Sequence, residues 1–144
     1  MNQLKRVLFV CVGNACRSQM AEGFARVYGS DVMVAASAGL GPATRLSQNT
    51  VRAMEERGVD IKDHFPKSLQ HLARMGFDIV VNMSGYELPF DPGGSVLYWA
   101  IPDPVAMTYE KHCEIRDQVE GMVMRLIIQL RQEEKSKRAH KRAV

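Results

Sequence analysis

The feature that most constrains this chain is the segment Val7-Leu8-Phe9-Val10-Cys11-Val12-Gly13-Asn14-Ala15-Cys16-Arg17-Ser18 near its start. Residues 7–10 form an unbroken apolar, largely β-branched run. The run is too short for a membrane span or a signal core, and it suits a strand buried on both faces. It meets a loop carrying Gly13 and Asn14, and a helical pattern follows with Met20, Phe24 and Val27 on one face and Gly29 as its stop. Ser18 is expected to cap that helix, with Glu22 in the first turn, where an acid suits the helix dipole. A buried strand feeding directly into a helix implies a parallel α/β sheet.

The rest of the chain repeats that alternation. Strands are expected over 32–36, 77–83 and 96–101. Helices are expected over 47–57 from Ser47, over 68–74, and over 109–132, where Ile115, Val119, Met122, Val123, Leu126 and Ile127 share a face. The expected architecture is α/β: a single three-layer domain with a four-stranded parallel sheet flanked by helices, Rossmann-like in topology. Ligands of such sheets bind at the carboxyl ends of the strands. The loop after Cys11, the Ser37 turn, the turn at Met83 and Ser84, and the Asp103 turn should share that edge. Hydrophobic residues at 46% against 24% charged suffice for one core. The domain is expected over 1–132, followed by a frayed basic tail over 133–144. That tail explains the net charge of +3, since without its five basic residues 14 bases face 16 acids. No aromatic residue interleaves the tail charges, so neither nucleic acid nor membrane is expected as a partner. Three cysteines make no disulfide framework and point to a reducing, cytoplasmic setting.

Residues 11–18 read as an anion trap. Backbone N–H groups of a loop entering a helix can converge on one anion, aided by the positive end of the helix. Gly13 relieves crowding, Asn14 tolerates a left-handed backbone, and Arg17 can fork onto two oxygens of a phosphate. The same field favours a thiolate at Cys11, and the Ser18 hydroxyl can donate to it. Such a sulfur is a nucleophile aimed at a tetrahedral oxyanion. The leaving group needs an acid. Asp103, in Ile101-Pro102-Asp103-Pro104, is the preferred candidate, and Asp91 before Pro92 is its rival. His64 and His71 lack partners at metal-ligand spacing, so no metal is expected.

These residues resemble the low-molecular-weight protein tyrosine phosphatase and arsenate reductase superfamily. The likeness runs from the strand-loop-helix segment through Ser37-Ala38-Gly39, His64, Lys67-Ser68-Leu69, Asp78-Ile79-Val80 and Asp103-Pro104, to about Leu130. It implies a phosphocysteine on Cys11, anion binding by Val12, Gly13, Asn14, Ala15, Cys16, Arg17 and Ser18, Asp103 as acid, and no cofactor. It also implies that Asn14 and Ser37 brace the loop from beneath. Cys16 matches a cysteine that, in some members, pairs reversibly with the nucleophile. Glu22 matches a position that helps hold a monovalent cation in some reductase relatives.

Two departures bear on function. Gln19, Trp99 and Ile115-Arg116-Asp117-Gln118-Val119-Glu120 resemble the arsenate reductase branch, yet the stretch Asn82-Met83-Ser84-Gly85-Tyr86-Glu87 lacks the two cysteines of thioredoxin-coupled reductases. Eukaryotic-type phosphatases place aromatic residues directly after the Asp-Pro, whereas here Val105-Ala106-Met107 follows. The expected function is a phosphomonoesterase of the tyrosine phosphatase type, with arsenate reduction by an external thiol system as the alternative. The expected partners are a phosphate-like oxyanion and a phosphorylated protein or small phosphomonoester, acted on by a monomer or weak dimer.

Overall fold

In the computed structural model, which describes residues 3–143, four parallel strands form one sheet in the order β2-β1-β3-β4. The strands are β1 (Lys5–Cys11), β2 (Met33–Gly39), β3 (Ile79–Asn82) and β4 (Ser95–Tyr98). The helices are α1 (Arg17–Tyr28), α2 (Gln48–Glu55), the single turn α3 (Leu69–Leu72) running into a 3-10 turn at Ala73–Met75, and α4 (Tyr109–Ala143). The pleat of β1 divides the core. Val7, Phe9 and Cys11 join Met20, Phe24, Ile115, Val119, Val123 and Ile127 on the face covered by α1 and α4. Leu8 and Val10 join Ala38, Leu69 and Val80 on the other face. Both faces of β1 are buried, as a central parallel strand requires.

Register brings the strand ends to one edge. Cys11 pairs with Gly39 and Val10 with both Ala38 and Asn82. The Met83 amide donates to the Val10 carbonyl at 2.7 Å, and the Trp99 amide to Asn82 at 3.0 Å. The turns at 11–18, 39–41, 83–84 and 99–103 therefore leave the sheet together.

Several local expectations change. β2 is longer and runs through Ser37-Ala38-Gly39, because it pairs with β1 as far as Cys11. β4 is shorter than 96–101, since its last ladder partner is Asn82. Val27 is 54% exposed, and Tyr28 takes its place against the core and stacks on Phe24 at 5.9 Å. Gly29 ends α1 through space and not through a left-handed turn. Its φ is −127°, and a Cβ there would lie 2.7 Å from the Ile127 side chain. α4 continues to Ala143 where fraying from 133 is expected, and Leu130 adds a further buried position. Glu134 and Arg138, spaced i,i+4 at 3.7 Å, support this extension. No helix among the described residues is long and apolar enough to cross a membrane.

Gly39 is where sheet and loop come closest. A Cβ there would sit 2.7 Å from the Val12 carbonyl oxygen and 2.9 Å from the Asn14 nitrogen, both immobile backbone atoms. Gly39→Ala is expected to cost about 1–3 kcal/mol through overpacking. It should also weaken the protection that phosphate gives against thermal unfolding, as a denaturant and melting series with and without phosphate will show.

Candidate active site

The loop of residues 11–16 joins β1 to α1 with its carbonyls turned outward. Leu40 N–H donates to Cys11 O at 3.1 Å, Gly41 to Val12 O at 2.9 Å, Ala43 to Gly13 O at 2.9 Å and Ser47 to Ala15 O at 3.3 Å. The Gln19 side-chain amide donates to Asn14 O at 3.2 Å. In a trans peptide the C=O of one residue and the N–H of the next point to opposite sides, and the described chain has no cis bond. The N–H groups of Val12, Gly13, Asn14, Ala15 and Cys16 thus face away from the outer braces. The first N–H groups of α1 add to them, since no helix supplies partners for its own leading amides. Residues 40–47, of which the sequence pattern assigns only Ser47, as the start of a helix, are what turn these peptides.

Hydrogen-bond polarity beneath the loop can be deduced from fixed donors. The Lys67 backbone N–H donates to Asn14 Oδ1 at 2.8 Å, which fixes the amide orientation of Asn14. Asn14 Nδ2 then donates to Ser18 Oγ at 2.7 Å. The Ser18 proton is left for Cys11 Sγ, 2.9 Å away. Ser18 is therefore not the helix cap, a place taken by Cys16 without any side-chain cap bond. Asn14 has φ of 51°, the left-handed conformation that its residue type tolerates. Gly13 is not crowded, for a Cβ would meet only Ala43 and Ala15 at 3.8 and 4.0 Å.

Arg17 is buried at the mouth of the loop. Its NH1 donates to the carbonyls of Met83 and Ile101, the latter at 3.0 Å. NH2 lies 3.4 Å from Asp103 Oδ2, and Nε is buried without a hydrogen-bond partner among the described residues. One edge of the guanidinium is anchored, and the donors Nε and NH2 remain for an oxyanion. Asp103 thus stands beside Arg17. Asp91 instead accepts from Gly93 N–H at 2.9 Å and lines a separate recess with Gln70 and Arg74.

A model of the low molecular weight phosphotyrosine protein phosphatase family matches residues 6–89. The chain belongs to that family. The glutaredoxin arsenate reductase of a Synechocystis species is 32% identical over 131 residues, covering 88% of this chain and 99% of that protein. An arsenate reductase solved in its phosphate-binding state matches with TM-score 0.81 and 32% identity, over 88% of this chain and 99% of that one. The tyrosine phosphatase Wzb of Escherichia coli K30, solved with sulphate, matches with TM-score 0.76 and 25% identity, over 89% and 99%.

Within this family frame, the layer beneath the loop differs from expectation. Ser37 does not bond Asn14, because its one proton goes to Glu22 Oε1 at 2.8 Å. Glu22 is buried and lies beyond the first turn of α1, so it is no dipole partner. Its neighbours are basic side chains of the chain itself: Arg26 at 3.2 Å, His64 Nδ1 at 3.5 Å and Lys67 Nζ at 3.9 Å. Gln19, fully buried, ties this layer to the loop. Its Nε2 reaches Asn14 and Phe65 O, and its Oε1 accepts from His64 Nδ1 at 3.0 Å. Burial pushes the Lys67 ammonium below its usual range. Burial of Cys16 raises its thiol, opposed by the neighbouring Thr50 hydroxyl.

His64 also falls below its ordinary value of 6.5; burial is the main cause, and the Glu22 carboxylate opposes it. Asp60 opposes it too, while Arg26 and Lys67 act with burial. The folded protein thus prefers neutral His64, and the unfolded chain binds the extra proton. The contribution is full above about pH 6.5 and is lost as pH falls toward the folded-state value. Urea midpoints measured from about pH 8 down to pH 5 should therefore decline below 6.5. His64→Gln, which can keep the bond to Gln19, should flatten that decline.

Proposed function

We propose that this protein is an arsenate reductase that draws its electrons from an external thiol. The observation that carries this reading over phosphotyrosine hydrolysis is the fate of Tyr109, the aromatic residue nearest after Asp103-Pro104. Its hydroxyl donates to Glu56 at 2.5 Å, and the Arg52 guanidinium lies 3.9 Å over its ring. Tyr109 is thereby engaged by α2, while Val105 and Met107 are exposed beside Asp103. The cradle offers donors for a bare oxyanion, and Tyr109 is not free to sandwich a phenyl ring. The arsenate reductases among its relatives, matched over nearly their whole length, support the same reading.

Arsenate sits on the inward amides of residues 12–17 with two oxygens on Arg17 Nε and NH2. Cys11 Sγ, steadied by the Ser18 hydroxyl, attacks arsenic. One oxygen leaves as water with a proton delivered by Asp103, leaving a Cys11–S–As(V) adduct. Two thiols then supply two electrons, giving arsenite and a disulfide. A second turnover requires that disulfide to be reduced from outside the chain. A phosphomonoesterase is the second reading, favoured because Cys11, Arg17 and Asp103 stand equally well for phosphoryl transfer.

Both readings are separated by offering arsenate with glutathione and glutaredoxin, and p-nitrophenyl phosphate in parallel. Thiol-dependent arsenite production is the expected result. Rapid phosphate release without arsenite formation would reverse the assignment. Cys11→Ser should abolish turnover, and Asp103→Asn should slow it by about 10²–10⁴-fold.

A further inference from the structure

The segment that carries Asp103 is met at its near end by Arg17, 3.4 Å away, and needs a hold at its far end as well. Beyond Asp103 the chain makes a tight turn. The Val105 N–H donates to Asp103 Oδ1 at 3.1 Å, and the Met107 N–H donates to the Pro104 carbonyl at 2.9 Å. Ala106 sits in this turn at φ of 60°, a left-handed conformation that a residue with a Cβ adopts at a cost. Such a conformation persists only where the surroundings fix it. The side chains of Val105, Ala106 and Met107 are exposed, so their packing does not supply that hold.

The turn ends at Thr108, the residue before α4, and there it meets His112, which is 1% exposed. His112 Nδ1 lies 2.8 Å from the Thr108 carbonyl oxygen, which only accepts, so Nδ1 carries the proton. The same carbonyl takes the His112 backbone N–H at 3.1 Å. In the neutral ring Nε2 is then an acceptor, and the Ser47 hydroxyl, 3.3 Å away, donates to it. Ser47 leads into α2 without capping it, and its N–H pins the Ala15 carbonyl in the outer layer of the cradle. One buried, rigid ring therefore joins the end of the acid-bearing turn to the brace of the anion loop. A second link between α4 and α2 runs from Tyr109 to Arg52 and Glu56, on the exposed surface.

We propose that His112 is a positioning residue which, through Thr108 on one side and Ser47 on the other, keeps Asp103 in register with the oxyanion in the cradle. This rests on the reading of Asp103 as the acid, which arsenate reduction and phosphoryl transfer share. The cradle itself does not need the bridge, since the N–H bonds from residues 40–47 to its carbonyls are made by the main chain. Loss of the bridge leaves anion binding intact and slows the step in which Asp103 delivers its proton. A misplacement of about 1 Å suffices for a loss on the order of 10²-fold in such a step. The two halves of the bridge can be cut separately. In His112→Gln the side-chain amide reaches the place of Nε2 and keeps Ser47 without Thr108. In His112→Asn it stands at the place of Nδ1 and keeps Thr108 without Ser47.

Calorimetry with inorganic phosphate, set beside kcat for arsenite formation and for p-nitrophenyl phosphate, separates binding from rate on the full chain. His112→Gln, His112→Asn and Ser47→Ala should each lower kcat by about 10–10²-fold. Each should leave phosphate affinity as in the wild type, and His112→Gln combined with Ser47→Ala should lose no more than either alone. Ser47→Thr, which keeps a hydroxyl, should restore the rate. In an Asp103→Asn background the same changes should have no further effect, which a general loss of stability would not produce. Tyr109→Phe, which breaks the exposed link alone, should keep the wild-type rate. Hydrogen exchange gives a readout independent of turnover: the amides of residues 105–108 should exchange faster in the His112 variants, and those of residues 41 and 43 should not. Additive losses, an equal loss in the Asp103→Asn background, weakened phosphate affinity at unchanged kcat, or unchanged exchange at 105–108 overturns the proposal. Wild-type protein that turns over neither substrate overturns the functional readings, and the exchange then decides by itself whether His112 holds the turn. Should the His112 variants fail to fold, Ser47→Ala against Ser47→Thr still decides.

Discussion

The outward pull on the carbonyls of residues 11–15 is the constraint on which the site depends. An anion cradle built from backbone amides needs consecutive peptides rotated the same way, a conformation that leaves the carbonyls opposite without sheet or helix partners. Leaving them buried and unpaired would cost on the order of 1–3 kcal/mol each. Residues 40–47 remove that cost by donating N–H groups along the outside of the loop, with Gln19 covering Asn14. The cradle is thus the inner side of a hydrogen-bonded double layer. Gly39, with no Cβ, is what lets the outer layer lie against the inner one.

The second constraint is electrostatic. A loop that gathers amide dipoles, a helix N-terminus and Arg17 around one point is hostile to further positive charge at its mouth. The cations that neutralise Glu22 lie beneath the loop instead, where Arg26 and Lys67 flank the buried carboxylate with the His64 imidazole beside them. Burial disfavours the charged forms of His64 and Lys67, while Glu22 pulls the other way. The loop and this lower layer are joined at Asn14, which takes the Lys67 amide on one side and holds Ser18 toward Cys11 on the other. A change in the lower layer therefore reaches the sulfur through three hydrogen bonds.

Much of this was legible in the sequence where periodicity or chain punctuation carries it. The buried run before Cys11, the stop at Gly29 and the apolar face of α4 follow from spacing, and Arg17 and Asp103 stand at strand ends that any parallel sheet gathers on one edge. The misread features lack such a signal. Ser18 and Ser47 are good cap residues by type, yet each hydroxyl is taken by a tertiary partner, Cys11 in one case and His112 in the other. Ser37 bonds Glu22 and not Asn14 for the same reason: which neighbour wins a single hydroxyl proton is decided by packing. The bracing by residues 40–47 is invisible because main-chain donors are common to every residue type. Only the register of β2 beyond Gly39 brings these particular ones into line.

The same double layer ties the two sulfurs to different environments although they lie in one loop. Cys11 ends β1, faces the amides and takes the Ser18 proton, so its surroundings favour attack on a bound oxyanion. Cys16 begins α1 and is sunk between Thr50 and Ser47, away from those donors. Ser47 serves both layers at once: its N–H pins the Ala15 carbonyl and its hydroxyl meets His112. The residue that helps turn the peptide between the two cysteines is thus also one through which α4 meets the loop. A substitution at Ser47 that spares its N–H but removes its hydroxyl separates the two roles, since the turn of the loop follows the backbone and the contact with His112 follows the side chain.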